Sequence, residues 1–314
     1  MRIFLGEPTA SILITVVPVP VAPFPVRVAV AATALLAVAG GCSTPADPFQ
    51  APSGQYLAIG DSYSAGFRPS LDGEPPATTN DGFAWQVADA TGLELVNVSC
   101  SGITTTDFVS GRPCAEDLRG DDAPDRTDGS EASTVLGHVD RHPDEIELVT
   151  VVLGTNDLRP CTSFGPRWRE CVARVLPRVE RALDRLLSDL RERLGPSVPI
   201  VGLTYPDVWA AEPVREPDAP RSPLVTEASV ELFRDHLNPM LRRTYAGHGA
   251  RFADVTEEFG GYLPVERRTT AGEVPARAAL ICTETYYCAR DDGHPNPRGH
   301  ERIADLVLET LRPR

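Results

Sequence analysis

Residues 148–153 (LVTVVL) are apolar or β-branched throughout, with no charge and no turn former. A strand of this kind has no polar face to show to water, so it must sit inside a sheet covered on both sides, as parallel sheets are. Comparable runs recur at 56–59 (YLAI, ending at Gly60), 93–98 (LELVNV), 198–203 (VPIVGL) and 250–255. Helical patterns separate them at 83–91, 166–194, 227–246 and 299–311. In the longest, Val172, Val175, Val179, Leu183, Leu186, Leu187, Leu190 and Leu194 fall at helical spacing, and Pro177 predicts a kink or a break into two helices. Strand and helix alternate without repeats. That predicts one three-layer α/β/α sandwich with a mostly parallel, flavodoxin-like sheet over residues 55–314. Active residues of such sheets gather at the carboxyl ends of strands. Two polar stretches, 115–133 and the Pro-rich 210–223, read as surface loops.

The first 54 residues read differently. Residues 26–41 place Arg27 ahead of a short apolar run ending in Gly40, Gly41 and Cys42. Basic, then apolar, then small is the layout of a signal peptide, and the run is too short for a stable membrane span. Cys42 stands where a bacterial lipobox has its lipidated cysteine, although Ala39 occupies the place that pattern gives to Leu. The alternative is ordinary cleavage nearby with Cys42 incidental. Residues 1–25 lack a sensible basic start, so translation starting near Val26 is one reading; residues 42–54 form a polar, Pro-rich tether. The expected location is secreted or envelope-anchored in a bacterium, with the membrane met only through the lipid anchor.

Six further cysteines, Cys100, Cys114, Cys161, Cys171, Cys282 and Cys288, are an even set in three local couples. In an exported chain they read as disulfides. There is no CxxC, so a zinc site is not expected. A net charge of −14 argues against a nucleic-acid partner.

Three short motifs carry chemistry. Gly60-Asp61-Ser62-Tyr63 follows the first strand, where a serine hydroxyl is exposed on the turn; by itself it is equally a helix-capping turn. Gly154-Thr155-Asn156-Asp157 follows the LVTVVL strand, and the Asn156 amide can donate to a developing oxyanion or simply close an Asx turn. Asp291-Asp292-Gly293-His294-Pro295-Asn296 precedes the last helix; an Asp three residues ahead of a His can reach back to its ring, or the loop can be a solvated acidic turn.

Together these motifs resemble the SGNH hydrolase family, of the GDSL-like type, whose landmarks are a Ser, a Gly, an Asn and a His. All four stand here in family order: Ser62, then Gly102 in Ser99-Cys100-Ser101-Gly102-Ile103-Thr104-Thr105, then Asn156 and His294. The resemblance spans about residues 55–312 and extends to secreted actinobacterial esterases and lipases with three sequential disulfides. It implies acyl transfer through Ser62, with His294 as base and Asp291 as the acid that orients it, Asp292 being the fallback. It also implies an oxyanion hole of the Ser62 and Gly102 N–H groups with the Asn156 amide, and disulfides Cys100–Cys114, Cys161–Cys171 and Cys282–Cys288. No cofactor or metal is implied. The expected partner is a small-molecule or lipid ester, and the expected state a monomer. The rivals are a carbohydrate O-deacetylase or acyltransferase on the same scaffold, and a non-catalytic surface lipoprotein.

The remaining candidates have plainer readings. Asp61 is expected to accept backbone hydrogen bonds. His138 and His142 have only flexible-loop acids near them, and His236, His248 and His300 have no evident partners. Trp85, Trp168 and Trp209 read as core or pocket wall. Neither polar loop contains an apolar helix long enough to act as an interfacial lid, so an open site with Phe67, Phe83 and Trp209 as apolar contacts is expected.

Overall fold

The computed structural model describes residues 54–111, 113–126, 129–264 and 275–313. The signal peptide expected at 1–41, Cys42 and the tether up to residue 53 lie outside the described residues.

Five parallel strands form the sheet: β1 (Gln55–Gly60), β2 (Glu94–Ser99), β3 (Ile146–Val152), β4 (Ile200–Leu203) and β5 (Arg251–Ala253). Their spatial order is β2-β1-β3-β4-β5. Because β1 lies between β2 and β3, the strand order reverses there, and a crevice opens at the carboxyl ends of these strands. The central run behaves as its composition demands: residues 148–153 are all buried. Its one polar member, Thr150, exchanges a 2.7 Å hydrogen bond with the buried Tyr56 hydroxyl of β1.

Helix α1 (Phe83–Thr91) packs on one face with the C-terminal helix α8 (Pro297–Leu311). The other face carries α2 (Thr105–Ser110), α3 (Glu131–Arg141), α4 (Trp168–Leu194) and α6 (Asn238–Gly247), which pack on one another. This is the three-layer α/β/α sandwich. Among the described residues, no helix is long and apolar enough to cross a membrane.

Two helical regions narrow or overturn the sequence-based expectation. Helix α4 runs through Pro177 as one helix rather than two. Proline removes the hydrogen bond to residue i−4, but Pro177 and Ala173 are exposed, so water can serve the freed carbonyl. Meanwhile Val172, Val179, Leu183 and Leu187 on the opposite side stay buried in the core. The Pro-rich 210–223 segment is not a plain loop. It forms helical turns at Val208–Ala211 and Glu212–Arg215 and leads into α5 (Ser222–Glu231). A π-helical stretch, Leu232–Leu237, joins α5 to α6 just ahead of Pro239. One glycine is forced by packing: a Cβ on Gly202 of β4 would run into the Tyr245 ring of α6, whose hydroxyl donates to the Val151 carbonyl at 3.0 Å.

Candidate active site

Strand β1 ends by delivering Asp61 and Ser62 into a tight turn. The Asp61 side chain closes it, accepting the Tyr63 N–H at 3.1 Å through Oδ1. Its other oxygen accepts the Tyr205 hydroxyl at 2.7 Å and the Asn156 amide at 3.2 Å. Asp61 is therefore more than a backbone acceptor: it ties the ends of three strands together. Burial pushes its carboxyl up to about 6, against hydrogen bonds from Tyr205 and the Tyr63 N–H that favour the ionised form. Ser62 itself is 7% exposed. Its Oγ lies 2.8 Å from His294 Nε2.

His294 comes from the loop between α7 (Ala276–Glu284) and α8. Asn296 caps α8 by accepting the N–H groups of Arg298 and Gly299, and its own N–H donates to the Glu284 carbonyl. The Tyr63 hydroxyl donates to the Gly293 carbonyl at 2.7 Å, linking this loop directly to the Ser62 turn. Phe67 packs on the imidazole with ring centroids 4.5 Å apart.

The acid beside the imidazole is Asp292, not Asp291. Asp292 Oδ1 is 2.7 Å from His294 Nδ1 and also accepts the His294 backbone N–H at 2.9 Å. Burial alone would raise the Asp292 carboxyl, but its hydrogen bonds to His294 outweigh that and hold it below the usual range. Asp291 points elsewhere. Its side chain is 67% exposed against 24% for Asp292, and it pairs with Arg215 at 3.0 Å. The physical reason is backbone conformation: Asp291 adopts the left-handed region (φ 56°, ψ 35°), which turns its side chain away and leaves the next carboxylate facing the ring.

Gly102 stands where β2 has ended, with φ +81°, and open space where a Cβ would be. Among the described residues, the N–H groups of Ser62 and Gly102 donate to no other protein group. Asn156 Nδ2 donates to the Ile103 carbonyl at 3.0 Å and to Asp61, which fixes the plane of its amide. Asp157, unassigned in the sequence reading, accepts both the N–H (2.7 Å) and the hydroxyl (2.9 Å) of Thr105. It thereby fastens the Gly102 loop to the Asn156 loop. Tyr205 and Asp157 were invisible as site residues because their partners lie 144 and 52 residues away.

Disulfides join Cys100 to Cys114, Cys161 to Cys171 and Cys282 to Cys288. These are the pairs that the family resemblance implies. Each flanks a loop of the site.

Ser62, Gly102, Asn156 and His294 line one cleft of about 690 Å³, a size ordinary for a small-molecule site. Val208, Trp209, Val225 and Phe233 give it an apolar sector; Glu212, Arg215, Tyr287 and Asp291 form a polar wall. Phe67 and Trp209 thus reach the cleft as expected, but Phe83 does not. It is fully buried in α1, with its N–H on His300 Nδ1 at 3.2 Å. The other histidines have partners too: His138 with Gln55, His142 with Glu145, His236 with Glu231 and His248 with Asp184. Trp168 is buried, and the Trp85 indole donates to Asp122.

Residues 58–302 match the sequence model of the GDSL-like Lipase/Acylhydrolase family. The chain is also similar to Lipase 2 of Streptomyces coelicolor, 26% identical over 302 residues that cover 85% of this chain and 89% of that protein. Among solved structures, a family two carbohydrate esterase from Cellvibrio japonicus matches at 12% identity and TM-score 0.41, over 83% of this chain and 61% of that one. A variant of the esterase AlinE4 matches at 16% identity and TM-score 0.36, over 84% of this chain and all of the other. On the match across residues 58–302, this chain belongs to the GDSL-like lipase/acylhydrolase family.

Proposed function

We propose that the protein is a serine hydrolase of carboxylic esters, acting through an acyl-serine intermediate. The observation that carries this reading is the continuous chain of short contacts from Ser62 Oγ to His294 Nε2 (2.8 Å) and from His294 Nδ1 to Asp292 Oδ1 (2.7 Å). A serine hydroxyl is a poor nucleophile at neutral pH, so the imidazole takes its proton as the oxygen attacks the ester carbonyl. Asp292 holds the ring in the tautomer whose Nε2 is free to accept that proton, and it stabilises the imidazolium that results. The tetrahedral oxyanion is met by the N–H groups of Ser62 and Gly102 and by the Asn156 amide, which shares a hydrogen it otherwise gives to its internal acceptors. His294 then protonates the departing alcohol. Water repeats the attack with the same base and releases the acid.

For the acyl group, the apolar sector offers burial at about 0.8 kcal/mol per CH₂. Trp209 in this sector belongs to an aromatic cluster, meeting Phe164 edge-on at 5.6 Å and Phe233 at 6.3 Å, and we read that cluster as its floor. Short to medium acyl chains fit this floor, and no strong activation at a lipid–water interface is expected. The paired cysteines and the leader-like segment at 26–41 support export, with Cys42 the candidate lipidation site.

A fluorophosphonate probe tests the chemistry. The protein labels at Ser62, and Ser62→Ala abolishes both labelling and p-nitrophenyl ester hydrolysis, a loss of about 10⁴-fold or more, while folding unchanged. Retained hydrolysis in Ser62→Ala refutes the mechanism. A series of p-nitrophenyl esters from acetate to palmitate tests the substrate class: kcat/KM peaks before the long chains, and a rise continuing to palmitate with a jump above micelle formation marks an interfacial lipase instead.

A further inference from the structure

The polar wall of the cleft is a connected set of side chains, and none of it belongs to the nucleophile, the base, its acid or the oxyanion donors. Arg215 sits at its centre. Nε and Nη2 hold both oxygens of Glu212, at 3.0 and 2.9 Å. Nη1 reaches Glu216 at 3.1 Å and Asp291 at 3.0 Å. The Tyr287 ring lies under the guanidinium at 5.3 Å, and its hydroxyl donates to Glu212. Arg215 and Glu212 are mostly buried, with side chains 18% and 11% exposed. A forked guanidinium with every arm engaged is held in one geometry, which an exposed single ion pair is not.

The end of this network bears on the site. Asp291 terminates the helical turn Tyr287–Arg290 in the left-handed conformation, a region that few non-glycine residues adopt, Asn and Asp most often among them. Such residues persist where surroundings over-determine them, and they cluster at functional sites. The next residue is Asp292, whose carboxylate must meet the imidazole edge within a few tenths of an ångström. A small rotation at Asp291 displaces that carboxylate directly. On the far side the loop is held by Tyr63 on Gly293, Tyr286 N–H on the His294 carbonyl and Asn296 on Glu284. On the near side the Cys282–Cys288 disulfide and the Asp291 N–H on the Tyr287 carbonyl hold the turn, and Arg215 engages the Asp291 side chain itself.

We propose that Arg215 is a positioning residue for the Asp292–His294 pair, acting through Asp291. The proposal rests on the serine-hydrolase reading given above. Asp291 is then neither the acid of the triad nor a spectator. It is the point where the cleft wall sets the backbone that presents the acid.

The measurement is made on Asp291→Asn, Arg215→Met, Arg215→Lys and the Asp291→Asn/Arg215→Met double variant. Asparagine tolerates the left-handed region, so Asp291→Asn removes the ion pair while keeping the turn. It should lower kcat about 10-fold with KM within about twofold, because misplacement of a catalytic group acts on the chemical step. Fluorophosphonate labelling at Ser62 should slow by the same factor, with Tm within a few degrees of the parent. Arg215→Lys should recover part of the rate lost in Arg215→Met. The double variant should be no slower than Arg215→Met alone, as coupled residues behave. Asp291→Asn with the parent's kcat and labelling rate overturns the proposal, as do single effects that multiply in the double variant. Absence of labelling in the parent protein is a different result, and removes the serine-hydrolase reading itself.

Discussion

The two halves of the site are built in different ways. The Ser62 half is the end of a central strand: β1 is buried along its whole length, and the turn after it is held by Asp61, which is itself buried. The His294 half is a loop near the surface, positioned from its sides by a disulfide, a helix cap, a tyrosine hydroxyl and an ion pair. A strand end inherits the sheet's geometry, and one residue's local preference hardly changes where its side chain goes. A loop of this kind has its direction decided one dihedral at a time, so neighbouring carboxylates can serve unrelated purposes. The comparison teaches that the Ser62 side should resist perturbation as a unit, while the His294 side should fail residue by residue.

The sharpest way to break that comparison is on the acid. Asp292→Asn should lower kcat/KM by about 10³–10⁴-fold, since the imidazole loses the partner that fixes its tautomer, whereas Asp291→Asn should cost only about one order of magnitude. Steady-state kinetics on p-nitrophenyl butyrate decides it, and equal losses at the two positions contradict the geometry of the loop. A smaller effect is expected on the strand side. Asn156→Ala should reduce kcat by about 10²–10³-fold, the cost of one oxyanion donor. Because the same amide also bonds Asp61 and Ile103, a fall in Tm accompanying the loss would show how far catalysis and the nucleophile turn share one scaffold.

The smallest expected effect concerns stability. His300 in α8 is buried and accepts the Phe83 N–H, and burial lowers its pKa from 6.5 to about 3, with the charge on His294 acting in the same direction. The folded state therefore binds fewer protons than the unfolded chain between those values. The stability this histidine contributes is complete above pH 6.5 and is lost as the pH falls toward 3. It amounts to a slope of at most about 1.4 kcal/mol per pH unit. His300→Asn, which keeps an acceptor but cannot titrate, should flatten the urea-unfolding free energy over that interval. An unchanged slope would mean that the acid sensitivity comes from elsewhere.

These contrasts also mark how far the chain could be read before it was folded. Strands betray themselves locally: five runs of buried-strand character, separated by helical periodicity, specify a parallel sheet because each run has to be covered on both faces. Ser62, Gly102 and Asn156 follow from that, since each lies within a few residues of a strand's carboxyl end, where such sheets open a crevice. His294 was legible from its motif. What stayed hidden needed distances that only folding creates. The 210–223 segment reads as a polar loop because Glu212 and Arg215 have no apolar periodicity; their order comes from Tyr287 and Asp291, more than seventy residues downstream. Tyr205 and Asp157 look like ordinary strand-end residues until the sheet brings Asp61 and Thr105 against them. The choice between Asp291 and Asp292 turned on a single left-handed φ at Asp291, which composition does not encode and which the surrounding wall of the cleft holds in place. Sequence by itself determined the layers of this protein and the strand ends that carry its chemistry, because burial and periodicity are local properties. The tertiary structure alone decided which carboxylate faces the imidazole, because that depends on contacts between segments far apart in the chain.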